Sequence, residues 1–191
     1  MATQSCRVSF PHVLSAELNQ QKGMFISQTA RPRQLFKNIF DVSHEAARNE
    51  LTAKMEAPDG GREPQCYCNG FSCQTVSGLN SNKAAAASAI EEGAGTTGST
   101  FAGGLFLLAR KRPKVAILEN VMGLLNHGLD QQVVRRVEQQ GYVVKVAQLT
   151  PCDFGSPQSR PVFGQICFWS VRVVIQVCQV VLSLHLILSC F

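Results

Sequence analysis

The feature that most narrows the fold is the order of patterns between residues 99 and 149. "STFAGGLFLLARK" (99–111) sets Phe101, Leu105 and Leu108 along one helical face. "KVAIL" (114–118) is a short unbroken apolar run, as expected for a strand buried on both faces. "LDQQVVRRVEQQ" (129–140) returns to helical spacing through Leu129, Val133 and Val137, and Gly141 suits the stop position. "YVVKVAQL" (142–149) is strand by its β-branched content. Helix, strand, helix, strand in quick succession predicts a layered α/β domain.

The chain has 191 residues, enough for one domain with a sizeable core. No internal repeat interrupts it. Upstream, "RQLFKNIFDV" (33–42) follows a Pro-Arg turn, and "SHEAARNELTAKME" (43–56) reads as a helix capped by Ser43. "APDGGREP" (57–64) is a loop by its Pro and Gly content. In "SNKAAAASAIEEGAGTTGS" (81–99) the alanine run suits a helix, whereas "GAGTTGS" reads as loop. Gly103 and Gly104 lower the stability of the helix expected to follow.

The net charge of +5 tilts toward a polyanionic partner without identifying one. There are eight cysteines, and "MATQSCRVSFPHVLSA" holds no apolar run of secretory type, so free thiols are the expectation. Cys66, Cys68 and Cys73 form C-x-C-x4-C without a fourth ligand, a poor zinc pattern. Cys66, Cys68 and Cys152 read as packing residues. Residues 166–191 are apolar with Arg172 as their one charge. The 19 uncharged residues that follow approach the length of a membrane span. Gln176, Gln179, Ser183 and His185 weaken that reading, and valine-rich strands fit as well. The organisation expected is a domain over 1–165 with a hydrophobic tail over 166–191.

Two places carry candidate chemistry. Cys73 sits in the short loop "NGFSCQTVSGLN" (69–80), where packing, metal ligation, a disulfide or nucleophilic attack are all open to a thiol. The strand "VAIL" runs directly into Glu119 and Asn120, and in open α/β sheets ligands gather at the carboxyl ends of strands. Taken alone, a Glu-Asn pair after a strand more often merely starts a surface loop.

In sequence order, "GFSCQTVSGLN" (70–80), "PKVAILENVMGLL" (113–125) and "DFGSPQSR" (153–160) resemble the cysteine-loop, Glu-Asn-Val and Gln-x-Arg motifs of the cytosine-5 DNA methyltransferase family. "TTGSTFAGGLFLLARKRPK" is similar to the stretch before Glu-Asn-Val, and "SAELNQQKGMFISQTARPRQLFKNIFDV" to the segment where an acidic residue meets the cofactor ribose. The resemblance covers about residues 16–165. It implies a partial Rossmann-like fold dependent on S-adenosylmethionine, a mostly parallel sheet with helices on both faces. It also implies methylation of cytosine carbon-5.

Under that resemblance Cys73 is the nucleophile that adds to cytosine carbon-6. Glu119 meets ring nitrogen-3, Asn120 holds the loop, and Arg160 fixes Glu119 or the base. Glu17 and Gln74 fall at cofactor positions, and Gln158 and Ser77 at substrate positions. The implied partner is DNA carrying a flipped-out cytosine. Transfer RNA ranks behind it and a membrane is disfavoured. A monomer in the nucleus is expected. The segment 81–99 falls where the family has a loop that closes over the flipped base. "RKRPK" (110–114) reads as a solvated connection rather than a phosphate patch.

The chain departs from the family pattern in places. Its first 16 residues lack the glycine-rich cofactor loop, Ser72 replaces the proline before the cysteine, and Pro161 and Val162 follow Arg160 where a second arginine is usual. An incomplete catalytic domain, with activity impaired to match, is therefore the expectation. The alternative from another class is an inactive relative that binds nucleic acid or a partner.

Overall fold

The computed structural model describes residues 11–58, 64–76, 89–149 and 162–169. Its main sheet is built from Cys66–Gly70 (β5), Val115–Val121 (β6), Val162–Trp169 (β8) and Tyr142–Leu149 (β7), in that spatial order. β5 and β6 run parallel, with Cys66 opposite Val115 and Gly70 opposite Glu119. β8 runs antiparallel to both β6 and β7, so β5, β6 and β7 share one direction. Gly141, at φ 87°, turns the chain into β7 after the preceding helix.

Two long helices close the core. Gly95–Lys111 (α2) and Leu129–Glu138 (α3) send Phe101, Leu105, Leu108, Leu129, Val133 and Val137 into one cluster with Ala116 and Leu118 of β6 and Tyr142 of β7. Alternate residues of β6 thus share a face, as the two-residue strand period demands. Each fully buried aliphatic side chain contributes roughly 1.5–3 kcal/mol relative to exposure. Gly103 and Gly104 let α2 approach its neighbours. A Cβ on Gly103 would stand 2.7 Å from Ile39 Cγ2, and one on Gly104 2.4 Å from Asn69 Nδ2. The helix propensity they lose is offset by this packing.

The basic run closes the end of α2. The guanidinium of Arg110 donates to the Ser43 carbonyl, and Arg112 takes the left-handed conformation at the helix end and donates to Gln140 O at 3.0 Å.

A smaller unit precedes the main sheet. Leu14–Ala16 (β1) and Gln34–Phe36 (β2) pair in parallel around Gln20–Thr29 (α1), whose first turn is capped by the side chain of Asn19. Phe36, Val42, Ala47 and Leu107 form a second cluster, against which Leu14, Ala16 and Tyr67 pack, so β1 and β5 meet in one core under α2.

Three segments differ from the sequence expectations. Residues 43–56 are not helical: Ala47–Asn49 (β3) and Lys54–Glu56 (β4) form an antiparallel hairpin after a short 3-10 turn at Asp41–Ser43. A fully buried side chain decides this. Asn49 Oδ1 accepts from the amides of Leu35 and Leu51, both at 3.1 Å, and its Nδ2 donates to Glu56 at 2.9 Å. A helix would strand those groups, and helix propensity amounts to only tenths of a kcal/mol per residue. "GAGTTGS" is not all loop either, because α2 begins at Gly95, four residues before the expected start. β6 likewise continues past Leu118 through Glu119 and Asn120 to Val121.

Candidate active site

The site is assembled at the carboxyl end of the parallel β5–β6 pair. β5 ends at Gly70, and the chain enters the cysteine loop. Phe71 and Val76 are both buried and pin the loop at either side of Cys73. Phe71 lies against Phe101, ring centroids 5.2 Å apart. Between these anchors the chain turns, with the Val76 amide donating to the Cys73 carbonyl at 3.1 Å. Cys73 is half-buried and packs against the core cluster.

β6 delivers Glu119 and Asn120 beside this loop, and the pleat sends them to opposite faces. Asn120, 2% exposed, turns inward with the core. Its Nδ2 donates to the Phe71 carbonyl at 2.8 Å, and its Oδ1 accepts from the Val121 amide at 2.9 Å. Glu119 takes the face of its register partner Gly70. A Cβ built on Gly70 would lie 3.2 Å from Glu119 Oε2, so the missing side chain leaves room for the carboxylate.

A third element grips the loop. The Ser72 amide donates to Thr100 Oγ1 at 3.0 Å and the Thr75 amide to Thr97 Oγ1 at 3.0 Å, while the Thr96 hydroxyl donates to Gln74 Oε1 at 3.0 Å. Gln74 itself is exposed.

The other predicted residues fall elsewhere. Glu17 directly follows β1. Its amide donates to Phe36 O at 3.0 Å, and its carboxylate accepts from the Asn19 amide at 2.8 Å. That is the carboxyl end of the β1–β2 pair. Ser77, Gln158 and Arg160 lie outside the described residues. So do residues 81–88 of the segment after Cys73 and the 173–191 stretch; among the described residues no helix is long and apolar enough to cross a membrane.

Cys66 and Cys68, expected as packing residues, are exposed. They alternate with Tyr67 and Asn69, which turn toward α2, so the strand period puts both thiols on the opposite face. A hydrogen bond between the thiols holds Cys66 below the usual thiol range and Cys68 above it. Burial pushes the Tyr67 phenol well up, with Cys68 adding to the effect. Among the described residues no group of three or more His, Cys, Asp or Glu side chains could hold a metal ion. A broad open groove bordered by Phe40, His44, Phe106 and Arg110 shares no residue with the cysteine loop.

The threonines of α2 are what sequence reasoning missed. The available signal was their spacing: Thr96 and Thr100, four apart, share a helical face, and hydroxyl residues favour helix starts.

A layered α/β domain with a cysteine loop and an acidic residue at adjoining strand ends has the architecture of a Rossmann-like methyltransferase. A family profile for C-5 cytosine-specific DNA methylase matches residues 8–168, and the chain belongs to that family. It is similar to the DNA (cytosine-5-)-methyltransferase DMT5 of Cryptococcus neoformans var. grubii, 26% identical over 159 residues, which cover 83% of this chain and 6% of that protein. Its fold is similar to Dnmt2 of S. pombe (14% identity, TM-score 0.54, covering 85% of this chain and 43% of that one). It is similar also to a DNMT2 variant of Spodoptera frugiperda (14% identity, TM-score 0.58, covering 86% and 44%). The chain therefore spans less than half the length of these relatives.

Proposed function

We propose that this chain carries the nucleophile-bearing half of a cytosine-5 methyltransferase acting on DNA, with Cys73 forming a covalent bond to the target base. The observation that carries the reading is the hydrogen bond from Asn120 to the Phe71 carbonyl. It ties the end of β6 to the cysteine loop, which supports reading Cys73 and Glu119 as parts of one site, since attack at one ring position and proton sharing at another need both groups near neighbouring strand ends.

The thiolate of Cys73 adds to carbon-6 of cytosine, and the electron pair of the carbon-5–carbon-6 double bond moves into the ring. Glu119, holding a proton, gives it to nitrogen-3 as that charge develops. Arg160 would steady the carboxylate left behind by a charge-assisted hydrogen bond. After methylation the carbon-5 proton passes to water, the carbon-5–carbon-6 double bond re-forms as the sulfur leaves as thiolate, and Glu119 recovers its proton from nitrogen-3. The base must be swung out of the duplex to reach Cys73. The chain's net positive charge favours the DNA backbone.

S-adenosylmethionine, when bound, supplies the methyl group for carbon-5. Two residues present fit it. Glu17 sets a carboxylate at the carboxyl end of a parallel strand pair, the acceptor that vicinal ribose hydroxyls need. Gln74 lies exposed beside the nucleophile.

The test uses duplex DNA with fluorine at cytosine carbon-5. A fluorine cannot leave as a proton does, so the adduct is held. With S-adenosylmethionine present, the chain is expected to form a denaturation-resistant complex that Cys73→Ala abolishes. An adduct that survives Cys73→Ala, or a folded chain showing neither adduct nor saturable S-adenosylmethionine binding, refutes the reading. A parallel arm with structured RNA separates a DNA substrate from a transfer-RNA one.

A further inference from the structure

The stretch that opens α2, "GTTGST" (95–100), holds glycine and threonine, residues of low propensity within a helix, and Ala94 at its N-cap provides no side-chain bond. What it does provide is a set of hydroxyls aimed at one loop. Thr97 is fully buried, and its hydroxyl accepts from the Thr75 amide. Thr100 accepts from the Ser72 amide while donating back to the Thr96 carbonyl at 2.7 Å, so its hydroxyl is used in both directions. Thr96 donates to the Gln74 side chain. The three threonines thus engage residues 72, 74 and 75, on both sides of Cys73.

A glycine of the same turn allows this approach. Gly95, at φ 64°, has Thr75 Oγ1 2.9 Å from where its Cβ would stand, so a larger residue there would push the helix start off the loop. Gly98 instead packs against the segment before the helix, with the Ala89 carbonyl 2.0 Å from where its Cβ would stand.

We propose that Thr97 and Thr100 are positioning residues for the nucleophile, fixing the conformation of the 72–75 backbone and with it the direction of the Cys73 thiol. Neither hydroxyl is placed to touch the substrate. Both act on part-buried backbone amides of the loop, and loss of these acceptors is costly enough to make alternative loop conformations competitive. The assignment rests on the reading of Cys73 as nucleophile, but the loop geometry can be measured without it.

The experiment compares Thr97→Val, Thr100→Val and Thr97→Ser in the full chain. Valine keeps the shape and removes the hydroxyl; serine keeps the hydroxyl and removes the methyl. Hydrogen exchange at the Thr75 amide is expected to accelerate about tenfold or more in Thr97→Val, and at Ser72 similarly in Thr100→Val, with exchange in β6 unchanged. Thr97→Ser is expected to restore protection. In the same proteins the rate of adduct formation on fluorinated DNA falls about tenfold or more at saturating DNA, while the DNA concentration giving half-maximal rate stays the same. Unchanged amide exchange in both valine variants overturns the proposal. So does a serine variant that behaves like the valine one, because the methyl would then be what matters. If the native chain forms no adduct, the enzymatic reading fails, while the exchange arm still decides whether the threonines hold the loop.

Discussion

Replacing Asn120 with alanine tests the joint on which the site depends. The native side chain makes two hydrogen bonds, 2.8 Å to the Phe71 carbonyl and 2.9 Å from the Val121 amide, in a position 2% exposed. Truncation removes both and leaves the buried Phe71 carbonyl and the part-buried Val121 amide without these bonds. Each such loss costs about 1–3 kcal/mol, and the vacated amide adds a small cavity. With some relaxation of the loop, a total of about 2–4 kcal/mol is expected, a large share of the roughly 5–15 kcal/mol that stabilises a domain. Urea unfolding reads this as a lower midpoint with unchanged slope. Asn120→Asp provides a control with a sign. The carboxylate still accepts from Val121 but meets the Phe71 carbonyl with charge, so this variant should be worse than alanine at neutral pH. It should recover as acid protonates the carboxyl and restores a donor. A loss below about 0.5 kcal/mol in Asn120→Ala, the size of an ordinary surface change, would mean that the bond does not hold the loop.

Gly98→Ala is expected to destabilise by at least about 3 kcal/mol, because the added carbon meets the Ala89 carbonyl at 2.0 Å and backbone cannot swing aside as a side chain can; a melting temperature within a degree or so of the native value contradicts the close approach. The β3–β4 hairpin carries a pH dependence. Hydrogen bonds from Thr52, Asn49 and Gln34, with Lys54 adding a smaller attraction, hold Glu56 below its ordinary value of 4.5, against a small opposing effect of burial. A depressed carboxylate stabilises the fold above the unfolded value, and that contribution is lost as pH falls through the folded one. The Asn49 side-chain NMR signals should therefore titrate with a midpoint below 4.5, whereas a midpoint above 4.5 would reverse the sign of the effect.

Much of the fold around the candidate site was legible in the chain. The apolar run before Glu119 specifies a strand, since an unbroken apolar segment must be covered on both faces. It did not show that the strand carries on through Glu119 to Val121 with Asn120 buried. The helix through Leu129, Val133 and Val137 and the strand from Tyr142 followed from periodicity, because local spacing fixes which face can be buried. What spacing does not encode is the partner of a polar side chain. Asn49 turned a helix-forming stretch into a hairpin because its amide groups found distant backbone partners at Leu35 and neighbours at Leu51 and Glu56. Thr97 and Thr100 became a cradle for the cysteine loop only because α2 lies within reach of residues more than twenty positions upstream. Sequence alone determined which faces of these helices and strands had to be hidden. The tertiary structure decided which hydrogen bonds aim the chemistry, because a hydrogen bond acts over about 3 Å and depends on direction, while burial needs neither.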